Sequence, residues 1–171
     1  MTQADKTEAE VDQQGISKNG VPAMPLGRTI EEDNIIKHLE TLVSDLVDAV
    51  NTRSFDMKEV PIWRDHLALG MTASMDNLPI YKGSETFVKW SETAIEQCPE
   101  WRIDMHTLTT DVDSSHRKAT VYYNSELEGQ YPNIKVPSTG VMEFVWLESK
   151  NNWVLKKYRG ARGIGMGLGS I

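Results

Sequence analysis

STGVMEFVWLES, residues 138–149, sets a carboxylate, Glu143, in the middle of an apolar run of strand-forming residues, 141–147. Side chains alternate along a strand, so Val141, Glu143, Val145 and Leu147 share one side, and Met142, Phe144, Trp146 and Glu148 share the other. Both sides are mainly apolar. A Glu143 pointing to water would leave its three apolar neighbours exposed as a stripe, which a monomer does not normally tolerate. The pattern therefore predicts a strand covered on both faces.

The same period of two runs through the rest of the C-terminal half. WRIDMHTLTTDV, KATVYYNSELEG and NWVLKKYRGA read as further long strands, joined with the first by the turn-rich pieces DSSH, QYPNIKVP and KNN. Short connections between successive strands predict an antiparallel meander. Upstream the period is helical. TIEEDNIIKHLETLVSDLVDAVNT opens with Thr29 and Glu32, a capping-box pair, and repeats Leu39, Leu42, Val43, Leu46, Val47 and Val50 at helical spacing. MKEVPIWRDHLAL reads as a shorter helix interrupted or begun near Pro61, MTASMDN as a short strand and PIYKG as a turn. SETFVKWSETAIEQC reads as a third helix capped by Ser84. Helices followed by consecutive strands make an α+β domain, with helices on one face of a curved sheet.

A chain of 171 residues has room for one domain with a tail. The domain is expected over 29–163, with a disordered or loosely packed segment over 1–28 and a flexible glycine-rich tail over 164–171. No apolar run reaches the length of a membrane span, and the polar start lacks a secretory pattern, so a cytoplasmic protein is expected. Cys98 is the only cysteine, which excludes an intrachain disulfide and a cysteine-cluster metal site. A net charge of -7 disfavours nucleic acid and anionic membranes as partners. The locally basic KKYRGAR then reads as a solvated strand end.

The order of elements, the YKGSETFVKW turn into the third helix, the VPSTGVMEFVWLE strand and the closing NNWVLKKYRG resemble the nuclear transport factor 2-like superfamily over roughly 30–163. The resemblance is to SnoaL-like polyketide cyclases and ketosteroid isomerase relatives in particular. It implies a cone, in which a bent antiparallel sheet wraps three N-terminal helices and encloses an apolar pocket. It also implies a small-molecule ligand, no cofactor and a homodimer through the outer sheet face, here Met142, Phe144 and Trp146. The activity it implies is cofactor-independent acid–base catalysis of the cyclase, isomerase or dehydratase type, on a carbonyl-containing polyketide- or terpenoid-like substrate. The same cone also serves as a non-catalytic ligand-binding or dimerisation module.

Carried over residue by residue, the resemblance places Glu143 where a protonated acid donates to the substrate oxyanion, with Val141 and Val145 beside it in the pocket. A buried, unpaired carboxyl is kept protonated by the cost of ionising it. Register then turns Lys156 and Tyr158 inward on the last strand. A Glu143–Lys156 ladder contact is the competing reading, and both stand at this point. Asp76 falls at the place of the general base and also suits a turn in DNLP. Two departures weaken the isomerase pattern: Leu46 stands for its helix-one tyrosine, and Arg162 near a usual aspartate. Tyr123 and Tyr158 are the pair whose hydroxyls, inside an apolar cone, could donate to a ligand. No metal site is expected, because His38, His66, His106 and His116 show no ligand spacing.

Overall fold

The structure is a computed structural model that describes residues 29–76 and 78–163. The expected N-terminal segment 1–28 and the glycine-rich tail 164–171 lie outside the described residues. Helix α1 (Ile30–Asn51) opens with the expected capping box: Glu32 N donates to Thr29 Oγ1 at 3.2 Å and Thr29 N to Glu32 Oε2 at 3.0 Å. Its apolar stripe, Leu39 to Val50, is buried against the sheet. Helix α2 (Pro61–His66) starts on Pro61, whose missing N–H costs nothing at a first turn. The longer helix expected over 57–69 gives way at Leu67 to strand β1 (Leu67–Met75). Leu67, Met71, Ala73 and Met75 are buried there, so pairing in the sheet overrides the helical reading.

Strand β2 (Tyr81–Lys82) leads into α3 (Ser84–Gln97), and β3 (Arg102–Asp113), β4 (Lys118–Tyr131), β5 (Ile134–Leu147) and β6 (Asn152–Arg162) follow. The sheet order is β2-β1-β6-β5-β4-β3. From β3 to β6 the expected meander is present. The sheet as a whole is mixed, which corrects the all-antiparallel expectation: β1 runs parallel to β6. The rest of the domain supplies the long crossover that a parallel pair requires. The β4–β5 hairpin is tighter than expected, with Pro132 and Asn133 alone between the strands and Asn133 at φ 59°.

α1 and α3 pack on one face of the curved sheet, and the core lies between. The result is an α+β cone. No helix among the described residues is long and apolar enough to cross a membrane.

Two clamps fix where α1 meets the sheet. Asn51 Nδ2 donates to Ile103 O and Asn51 Oδ1 accepts from Ile103 N, both at 2.9 Å. Arg53, at φ 62°, donates through Nη2 to Pro99 O at 2.5 Å and Trp101 O at 2.9 Å. The entry to β3 is held in place by the end of α1.

Candidate functional site

The inner face of the sheet carries Val121, Tyr123, Ser125 and Leu127 of β4, Ser138, Gly140, Met142 and Phe144 of β5, and Tyr158 of β6. This reverses the expected faces of β5. Met142 and Phe144 are each 2% exposed and belong to the core, so they form no dimer face, and Trp146 packs edge-on against Trp153 at 5.8 Å. Val141, Glu143 and Val145 lie half-buried on the outer face. Glu143 Oε1 accepts from Arg159 Nη2 at 2.8 Å and faces Lys157 Nζ at 3.8 Å. Glu143 is therefore a partnered outer-face carboxylate and lines no cone cavity.

One extra residue in β6 sets which cations reach Glu143. Glu143 pairs with Lys157, but its successor Phe144 pairs with Leu155, so Lys156 is the unpaired member of a β-bulge. Lys156 is exposed, and Lys157 and Arg159 take outer positions, Lys157 opposite Glu143 and Arg159 opposite Val141. The helices cover only the inner side. The largest apolar side chains of β5 face them, and the acid takes the side where two cations stand.

Tyr123 and Tyr158 meet inside the cone, with hydroxyl oxygens 2.8 Å apart. Their neighbours on the inner ladder are glycines. Tyr123 pairs with Gly140, which pairs with Gly160, while Met142 pairs with Tyr158. A Cβ at Gly140 would strike the Tyr123 ring, and one at Gly160 would strike the Tyr158 hydroxyl. The two glycines make room for the two phenols. Burial raises both phenols above the ordinary tyrosine range. For Tyr123 the neighbouring Tyr158 adds to this. For Tyr158 the hydrogen bond with Tyr123 opposes it, and the negative charge of Asp76 reinforces it. Both keep their protons at neutral pH and are hydrogen-bond donors.

Asp76 follows β1 directly, at φ 47°, its N–H bonded to Gly160 O at 3.0 Å. Its Oδ1 accepts from Arg162 N at 2.7 Å and its Oδ2 from Arg162 Nε at 2.5 Å. Burial alone would raise its pKa, but the hydrogen bonds and charge of Arg162 bring it below the usual carboxylate value. Asp76 is thus an ionised carboxylate beside the phenol pair, with both oxygens engaged. Arg162, the departure noted in the sequence, is its partner.

The cavity itself has a void of about 40 Å³, or about 500 Å³ with its open mouth counted. Leu46, Val50, Phe87, Trp90, Met142 and the two tyrosines line it, together with Trp101, Ser125 and Ser138. Of the expected site residues, Leu46, Tyr123 and Tyr158 meet there. Val141, Val145, Glu143, Lys156 and Asp76 do not line it, though the charge of Asp76 acts on Tyr158. Trp101, Ser125 and Ser138 were missed. The two serines stand at inward positions of otherwise apolar ladders, an interruption visible once the faces of β4 and β5 are known.

His66 bonds Trp153 O through Nδ1 at 3.0 Å and lies 6.2 Å from the His38 ring. Neither lines the cavity. Elsewhere on the sheet, strand pairing brings Asp104, His106 and Glu126 together, with one ligand atom from each within 4.8 Å of the others. Sequence spacing did not reveal this group. Lys135 Nζ, 3.7 Å from Glu126, already supplies it with a cation.

No family model matches the chain, and no curated protein matches it. Solved structures do. LinA aligns with a TM-score of 0.65 at 16% identity, over 82% of this chain and 95% of that one. The hexachlorocyclohexane dehydrochlorinase LinA-type3 of Novosphingobium barchaimii LL02 gives 0.64 at 15%, over 82% and 96%. An NTF2-like protein of unknown function from Pseudomonas putida KT2440 gives 0.63 at 12%, over 79% and 91%. The chain has the fold of the nuclear transport factor 2-like superfamily.

Proposed function

We propose that the chain takes a small carbonyl-bearing molecule into the cone and promotes a cofactor-independent proton transfer on it, in the manner of an isomerase, cyclase or lyase. The observation that carries this reading is the pair of protonated phenols meeting at 2.8 Å in an apolar cavity. One hydroxyl donates to the other, which leaves one O–H free for a ligand oxygen. In a site of low polarity such a donor stabilises negative charge developing on a carbonyl oxygen more than water would. Asp76, kept ionised beside Tyr158, is the nearby carboxylate to accept a proton. Polyketide- and terpenoid-like ketones have the matching chemistry. Glu143 has no role in this scheme.

A second reading, a non-catalytic ligand-binding module, is favoured by the engagement of both Asp76 oxygens with Arg162. Asp76→Asn separates the two: on the catalytic reading it abolishes turnover and keeps binding. A homodimer through the outer face would use Val141, Val145 and the exposed Tyr122 instead of Met142 and Phe144. The test of binding is a thermal-shift screen of cyclic and polycyclic ketones. A ligand at a hundred times its Kd adds about 2.7 kcal/mol of stability. Stabilisation of the wild type and its loss in Tyr123→Phe/Tyr158→Phe are expected. Equal response of both proteins would contradict the proposal.

A further inference from the structure

Among the described residues, two buried side-chain polar atoms have no hydrogen-bond partner, Trp101 Nε1 and Ser125 Oγ, and both residues line the cone cavity. The neighbouring cavity hydroxyls are satisfied by protein: Ser91 donates to Phe87 O at 3.1 Å and Ser138 to Ala161 O at 3.2 Å. Ser125 is 3% exposed. A buried donor without a partner costs about 1–3 kcal/mol, so each such atom calls for an explanation.

The surrounding structure holds Trp101 firmly without satisfying its ring nitrogen. Arg53 anchors its carbonyl, and Asn51 anchors Ile103 two residues on. Gly129, at φ 79°, lets the Glu100–Trp101 backbone approach β4 where any Cβ would collide. Sequence and fold thus fix the indole at the cavity wall and leave its N–H pointing to no protein acceptor.

We infer that Trp101 and Ser125 form a second polar subsite, which binds an acceptor oxygen of the ligand remote from the oxygen held by Tyr123 and Tyr158. Indole N–H can only donate, so the group it takes is an oxygen with a free lone pair: a ketone, ether, ester or hydroxyl. A hydroxyl such as Ser125 can donate to the same oxygen. Ser125 follows Tyr123 by one repeat of the same inner face, about 7 Å along the strand, so a single ring carrying oxygens at opposite ends could span both positions. The ligand class is therefore a dioxygenated, otherwise apolar ring compound. The inference rests on the carbonyl-binding reading above and adds a second contact that selects among carbonyl compounds. Water is the rival occupant, because a void of about 40 Å³ exceeds the ~10–15 Å³ one water needs.

Cyclohexanone and 1,4-cyclohexanedione, titrated at millimolar concentration against ¹⁵N-labelled protein, separate these cases. The dione is expected to bind at least about tenfold tighter than the monoketone, the equivalent of one net hydrogen bond. Trp101→Phe and Ser125→Ala should each remove that advantage, since each deletes a hydrogen bond to the second oxygen. The Trp101 indole N–H resonance, assigned by its absence from Trp101→Phe, should move downfield with the dione and not with the monoketone. If Trp101→Phe fails to fold, the wild-type and Ser125→Ala affinities for the two ketones decide. Equal affinity for the two ketones in the wild type, or an unmoved Trp101 resonance at saturation, would assign the subsite to water only and overturn the inference. Failure of cyclohexanone to bind, or binding unchanged by Tyr123→Phe/Tyr158→Phe, would instead remove the carbonyl-binding reading and the subsite with it.

Discussion

The hydroxyls of Tyr123 and Tyr158 lie 2.8 Å apart in the cone, on strands that are not neighbours. β5 runs between them, and it contributes a glycine, Gly140, where a side chain would have kept them apart. Each phenol is the main polar partner of the other in an apolar surround. Tyr158→Phe therefore leaves the Tyr123 hydroxyl buried without a partner and should destabilise the fold by about 1–3 kcal/mol in urea denaturation. Tyr123→Phe/Tyr158→Phe should cost less than the sum of the single changes, because the second deletion removes the orphaned hydroxyl. Additive costs would show that the two do not act as a pair.

Gly140→Ala and Gly160→Ala place a methyl group against the rings of Tyr123 and Tyr158. Overpacking of this kind costs about 1–3 kcal/mol. Combining Gly140→Ala with Tyr123→Ala should cost less than the sum, since the clash is lost with the ring. The midpoints of denaturation for the two singles and the double give the coupling directly.

Asp76 gives the pH prediction. Its folded-state pKa is lowered from 3.8, so the unfolded chain takes up its proton first as pH falls. The stability it contributes is fully present above the unfolded value and is lost as pH drops through the folded one. The stability difference between wild type and Asp76→Asn should be constant from neutral pH to about pH 5 and shrink below about pH 4. A difference that grew on acidification would contradict the Arg162 pairing.

Much of this organisation is readable in the residues, and the part that is not has a definite cause. Thr29 and Glu32 announce the start of α1, and the change of period at Trp101 announces the meander. Tyr123 and Tyr158 are readable as phenols of the cone, but their meeting depends on the room left by Gly140 and Gly160. The faces of β5 were not readable, because Val141, Val145 and Leu147 are as apolar as Met142, Phe144 and Trp146. The choice is made by α1 and α3, which cover one side only, and by the bulge at Lys156, which moves every later residue of β6 to the other face. The parallel β1–β6 pair was also hidden, since it joins segments far apart in the chain. Trp101 and Ser125 become visible only when the ladder is assembled.

Glu143 tests the face assignment. On the outer face, with Arg159 and Lys157 as exposed partners, Glu143→Gln should change stability by under about 1 kcal/mol and leave ketone affinity unchanged. A large loss of ligand affinity would return it to the pocket.

The central claim is that the phenol pair donates to a ligand oxygen, and the carbonyl ¹³C resonance of bound cyclohexanone reads that donation directly. In the wild type it should lie downfield of its position in the Tyr123→Phe/Tyr158→Phe variant, where the carbonyl sits among apolar groups. The same chemical shift in both proteins would contradict the account.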